Sequence, residues 1–175
     1  MKEKIVLVDK HDNIIGHKYR DEVEHRKDIY RVSVLWIENN KNEVLLAQRA
    51  FTKKSNPGVR GPAVAGTNAQ GESYLDNILK ESEEEIGRKL SENNLIKGPH
   101  ELVTYKTKGR KYFRQRFIAK TDKPLESFTI QEEEVEKIMR ISKPELLNML
   151  KHHPEKFTSN APEYIPMMIK FTENN

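Results

Sequence analysis

At 175 residues, 35% hydrophobic and 33% charged, the chain suits one domain over residues 1–175, can bury a core, and falls outside the disordered class. It holds no cysteine, which removes disulfides, thiolate metal sites and cysteine nucleophiles and points to the cytoplasm; Ile5 to Val8, its longest early apolar stretch, is too short for a signal peptide or a membrane span. The net charge of +4 is small against 31 basic and 27 acidic residues, so placement matters more than the sum.

In chain order, Lys4–Val8 reads as a strand, Asp12-Asn13 as a turn, and Ile14-Ile15 as the start of a second strand. His17–Lys27 is polar and predicts a loop or short helix. Tyr30–Ile37 alternates as a buried strand, Asn39–Asn42 turns, and Glu43–Gln48 returns as its hairpin partner. Residues 52–62 carry Asn56-Pro57-Gly58 and Gly61-Pro62 and form a loop before a short stretch from Ala63 to Gly66. Ser73–Gly87 is the clearest helix, with Ser73 and Asp76 spaced as a capping box and Gly87 as the stop. Strands follow near Leu102–Lys106 and Tyr112–Ala119 with a turn at Gly109, then a short strand at Ile138–Ile141. Helices fit Lys143–Leu150, capped by Ser142, and Pro162–Phe171. No repeat, low-complexity run or linker interrupts this order, which predicts an α+β or α/β/α arrangement with a C-terminal helical extension from about residue 152.

On a helical wheel, Leu75, Leu79, Ser82 and Ile86 share a stripe that should face the core. Glu81, Glu84, Glu85 and Arg88 share the adjoining stripe, and Glu83 points elsewhere. Two unit charges about 4 Å apart repel by roughly 4 kcal/mol at an effective dielectric of about 20. Side-by-side carboxylates therefore call for raised pKa values or a bound cation, and oxygen ligands without histidine or cysteine favour magnesium or manganese over zinc. Glutamates on a helix are also commonly just a solvated face. The basic residues Lys106, Lys108, Arg110, Lys111, Arg114 and Arg116 crowd one segment, while acids gather at 81–85 and 132–136. A basic patch opposite an acidic cluster suits an anionic ligand delivered to a metal; the plainer reading is a solvated hairpin.

Residues 66–88 resemble the box of the Nudix hydrolase family: Gly66, Glu72, Glu81, Glu84, Glu85 and Gly87 fall on its fixed positions, and the loop-then-helix context agrees. Lys80 stands where the family has arginine, offering a point charge without a fork. Ser82 and Arg88 replace apolar residues. Val8-Asp9, Asp12-Asn13, Ile15-Gly16, His25, Leu45–Arg49, Lys53-Lys54 and Pro57-Gly58 extend the likeness toward the branch containing type I isopentenyl-diphosphate isomerase. That branch places cysteine before the box glycine and histidine after it, where this chain has Ala65 and Thr67. Of its two upstream histidines only His25 matches.

The resemblance implies an α/β/α sandwich around a mixed sheet and a magnesium- or manganese-dependent pyrophosphohydrolase acting on a nucleoside diphosphate derivative or similar metabolite. It implies Glu81, Glu84, Glu85 and the Gly66 carbonyl as metal ligands, with Glu72 and Lys80 in support. A general base would come from the acidic run at 132–134, with Glu134 the first candidate. Arg49 and Arg60 are candidate phosphate ligands, because guanidinium forks suit phosphate oxygens. Tyr112 and Phe113 could stack on a base or belong to the core. Other readings are a non-catalytic nucleotide-binding module and, set back by the missing cysteine, the isomerase itself. No separate RNA-binding motif accompanies the basic segment, so nucleic acid is not the expected partner. Such folds often form homodimers, which leaves assembly open.

Overall fold

The computed structural model describes residues 3–105 and 109–175, so Lys106 and Lys108 of the basic segment lie outside it. In chain order the elements are β1 (Lys4–Val8), β2 (Ile14–Tyr19), β3 (Ile29–Glu38), β4 (Glu43–Arg49), β5 (Arg60–Pro62), β6 (Val64–Thr67), α1 (Tyr74–Ile86), β7 (Ile96–Tyr105), β8 (Arg110–Lys120), β9 (Val135–Ser142), α2 (Lys143–His152) and α3 (Ala161–Glu173). The strands join in one mixed sheet.

β3 organises that sheet. One of its edges runs parallel to β8 over its whole length, from Ile29↔Lys111 to Glu38↔Lys120. The other edge is shared by three strands: β1 at Ile29 and Tyr30, β6 at Val32–Leu35, and β4 at Ile37 and Glu38. The predicted hairpin of β3 and β4 thus exists, but only for two rungs. Beyond them β4 turns away to pair with β5, while β9 runs along its other edge from Glu43 to Arg49. The sheet forks, and a cleft opens between the branches.

Alternation along β3 supplies both cores. Leu35 and Ile37 pack with Leu45, Val64, Ile78, Ile86 and Phe117 beneath α1. Trp36 packs on the other face with Val44, Ile118, Leu146, Ile165 and Met168 beneath α2 and α3. One helix on one face and two on the other make an α/β/α sandwich, as the sequence predicted. The C-terminal helix shares the second layer with α2 and is tied down by buried Glu38, which accepts from Trp36 Nε1 at 2.8 Å and Thr172 Oγ1 at 2.7 Å and pairs with Lys143 at 3.2 Å.

α1 forms where its caps predict. Asp76 N–H donates to Ser73 Oγ at 3.1 Å, and Ser73 N–H donates to Asp76 Oδ2 at 3.0 Å. Gly87 ends the helix at φ 64°, which a side chain would strain. The buried stripe differs from the wheel: Ile78, Ser82, Glu85 and Ile86 are buried, while Leu75 and Leu79 are only partly so. Ser82 tolerates burial because its hydroxyl donates to the carbonyls of Leu79 and Arg88.

Several elements outrun their predicted bounds. β2 continues to Tyr19 and a 3-10 turn at Arg20–Glu22. The loop before Ala63 contains β5. β7 starts at Ile96, ahead of the predicted strand near Leu102, and runs across Gly98-Pro99. The ladder accommodates it with a register shift between Lys97 and His100, and Gly98 lies so near Ile118 that an added Cβ would come within 2.6 Å of its Cδ1. β9 extends to Val135–Ser142. Among the described residues no helix is long and apolar enough to cross a membrane.

Candidate active site

The box glycine and the first cluster glutamate meet directly. A Cβ on Gly66 would fall 2.4 Å from Glu81 Cγ and 2.6 Å from its Cδ and Oε1, so only glycine lets this carboxylate lie against β6. Burial, and then Glu84 and Glu72, hold Glu81 above the usual carboxylate range despite Lys80 nearby. One helical turn on, Glu85 is 8% exposed. Its carboxylate accepts one backbone hydrogen bond, from Ala65 N–H at 3.4 Å. Burial first and then the charge of Glu81 push it up to about 8, with the Ala65 N–H opposing. Glu84 is exposed and lines the same cleft. Glu83 points to solvent, as predicted.

Glu72 and Lys80 brace the cluster from outside the cleft. Lys80 Nζ stands 2.7 Å from Glu72 Oε1 and 3.9 Å from Glu81 Oε1. Glu72 also accepts from Ala69 N–H at 2.8 Å and from Asn77 Nδ2 at 2.9 Å. Burial alone would raise the Glu72 pKa, but these partners outweigh it and hold the carboxylate below its usual range. The lysine therefore spends its single charge mainly on Glu72.

The cleft measures about 790 Å³ and takes residues from both branches of the forked sheet, including Gln48 and Arg49 of β4, Gly61 and Pro62 of β5, and Ala65–Thr67 of β6. Of the two candidate phosphate ligands, Arg49 lines it, held by its Nε bond to Ser55 O at 3.1 Å. Arg60 is not among the lining residues, and its Nε is buried without a hydrogen bond. Glu134 does reach the cleft, where Lys53 Nζ pairs with it at 2.6 Å. Phe113 is buried among Val6 and Val8, a core residue, whereas Tyr112 lines the cleft and stacks on Tyr30 at 5.5 Å. His25 lines it too; burial and then the Arg110 charge lower its pKa.

Gln131, Thr158, Asn160 and Tyr164, none of them marked in the sequence as a site residue, also line the cleft. The last three come from the stretch after residue 152, which carries no motif. Arg110, Arg114 and Arg116 line it as well, whereas Lys111 does not. Alternation was the available signal: positions 110, 112, 114 and 116 share one face of a strand, and 111 does not.

Among the described residues no three histidine, aspartate or glutamate side chains stand close enough to enclose an ion by themselves. Magnesium commonly takes only one or two protein carboxylates and completes its shell with water and substrate oxygens. The site fits that mode: its donors are hard oxygens, and burial of Glu81 and Glu85 outweighs the nearby charges of Lys80 and Arg49.

The family description "NUDIX domain" matches residues 28–163. The chain belongs to the Nudix family. A Nudix hydrolase of Yersinia pestis, described as uncharacterized, is 23% identical over 99% of this chain and 88% of its own length. A prenyl-diphosphate phosphatase of Methanosarcina mazei is 38% identical over 53% of this chain and 54% of its own. The crystal structure of a Deinococcus radiodurans protein superposes with a TM-score of 0.75 at 15% identity, covering 94% of this chain and 98% of that one, which supports the fold alone. Within the Nudix frame, Ala65 and Thr67, the positions where the isomerase branch carries cysteine and histidine, both line the cleft.

Proposed function

We propose that this Nudix protein is a divalent-metal-dependent pyrophosphohydrolase that cleaves a diphosphate linkage in a nucleoside diphosphate derivative or a similar metabolite. The observation that carries the reading is the contact of Gly66 with Glu81 beside the buried Glu85. Glu81, Glu84, Glu85 and the Gly66 carbonyl would hold magnesium or manganese. Bound there, the ion supplies positive charge against the phosphoryl oxygens and lowers the pKa of a bound water.

The remaining roles belong to the chain. Arg49, with Lys53 beside it, orients the diphosphate against the glutamate edge. Glu134, released from Lys53 as the diphosphate draws that ammonium away, accepts the proton of the attacking water. Glu72 and Lys80 keep Glu81 in place. Ala65 and Thr67 offer no thiol or imidazole for proton transfer to an isoprenoid carbon, which favours hydrolysis over isomerisation.

The test is a panel of nucleoside diphosphates, nucleotide sugars, dinucleotides and prenyl diphosphates, with magnesium and with EDTA. At least one compound should release a phosphate-containing product only with metal, and Glu84→Gln and Glu85→Gln should each abolish it while the fold persists. A panel without turnover, in a protein that still binds a nucleotide, would make this a binding module and overturn the reading.

A further inference from the structure

Arg116 is 1% exposed, a cation almost fully removed from water, yet it lines the cleft. Its NH1 donates to Glu101 Oε1 at 2.6 Å, while Nε and NH2 have no hydrogen-bond partner among the described residues. Beside it, Arg114 donates to Tyr112 Oη at 2.6 Å and lies 3.7 Å from the same Glu101 oxygen. Asn160, with its amide oxygen turned to the guanidinium, accepts from Arg114 NH2 at 2.6 Å. Both guanidiniums face the ring of Tyr164, at 5.8 Å for Arg114 and 5.6 Å for Arg116. Arg110 lines the cleft from the same face of β8. One half-exposed carboxylate thus serves this row of arginines, and two donors of Arg116 are left buried and unpartnered in the wall of the cleft.

A buried charge with unfilled donors is costly unless something pairs with it. Arginine cannot escape by losing its proton. The row keeps about two positive charges beyond what Glu101 neutralises, and a phosphate monoester carries roughly −1.5 to −2 at pH 7. A carboxylate would leave one of those charges unmet. Register then fixes where this end lies: Val34 pairs with Ala65 on one side and with Arg116 on the other. β6, against which Glu81 and Glu85 lie, and the arginine row of β8 are therefore two strand spacings apart, about 10 Å between backbones.

We propose that Arg116, with Arg114 and Arg110, forms a second oxyanion site, and that the substrate carries a phosphate monoester at this end of the cleft in addition to the diphosphate presented to the glutamates. The pairing of the two groups rests on the hydrolase reading of the glutamate end. The oxyanion site itself is tested without metal or turnover, so either half can fail alone.

The experiment is calorimetric titration of the full chain with inorganic phosphate in EDTA, with acetate at equal ionic strength as the second probe. Wild type should bind phosphate saturably and acetate not at all. Arg116→Met should weaken phosphate binding at least tenfold, and Lys111→Met, which removes a cation of the same strand that does not line the cleft, should leave it within twofold. Without phosphate, Arg116→Met should melt no lower than wild type, since it removes an unmet buried charge, a result that a purely structural arginine would not give. If the methionine variant does not fold, Arg116→Lys, which keeps the charge but loses the fork, should show the tenfold loss instead. Wild-type affinity in whichever Arg116 variant folds, absence of saturable phosphate binding, equal binding of acetate, or an equal loss in Lys111→Met would overturn the assignment.

Discussion

Glu85→Gln should stabilise the metal-free protein at high pH while destroying its activity. Burial lifts this carboxyl from an ordinary 4.5 to about 8. At roughly 1.4 kcal/mol per pH unit, the difference amounts to about 5 kcal/mol. Below pH 4.5 both the folded and unfolded chains carry the proton, and the residue contributes nothing to the balance. Between 4.5 and about 8 the unfolded chain ionises and the folded one does not, so stability falls as pH rises; above about 8 the penalty is complete. Glutamine cannot ionise and lacks this slope. The gap between variant and wild type should therefore grow from pH 4.5 to pH 9, toward a limit of about 5 kcal/mol. Urea denaturation followed by circular dichroism in EDTA measures it. Magnesium at about a hundred times its dissociation constant should return roughly 2.7 kcal/mol to wild type and little to the variant. A gap of equal size at pH 5 and pH 9 would refute the burial argument.

Gly66→Ala should lower the metal-dependent rate at least a hundredfold with a small change in melting temperature, because the new methyl displaces only the flexible end of Glu81; full activity would contradict the contact. Lys80→Arg should raise kcat/KM about fivefold, the worth of about 1 kcal/mol for one added hydrogen bond, since a fork can hold Glu72 and Glu81 together where lysine reaches Glu81 only at 3.9 Å; steady-state kinetics decides this. Gly87→Ala should cost at least about 1–2 kcal/mol in urea denaturation, from the left-handed backbone alone, and more because its Cβ would meet the Thr129 backbone.

Local chemistry made α1 legible. Ser73, Asp76 and Gly87 act within one or two turns, and the glutamate edge follows from spacing on the same helix. The parallel pairing of β3 with β8 was not legible, because its partners lie about eighty residues apart and neither carries a mark of the other. For the same reason the two-rung hairpin looked complete: nothing in residues 43–49 announces that β6 displaces β4 from β3. At the site, Gly66 and the glutamates follow the pattern, but Arg60 does not line the cleft and the arginine row was hidden among neighbouring lysines. Burial separates Arg114 and Arg116 from Lys111, and burial is a property of the assembled sheet.

The fork at β3 carries a consequence for divergence. Side chains at either end can be exchanged to recognise different chemical groups, but the span between them belongs to the main chain. A one-residue slip of β3 would turn Tyr30, Val32 and Val34 to the opposite face and move both ends out of step together. Point substitutions can therefore retune what is grasped at each end, whereas a longer or shorter molecule would need a new ladder.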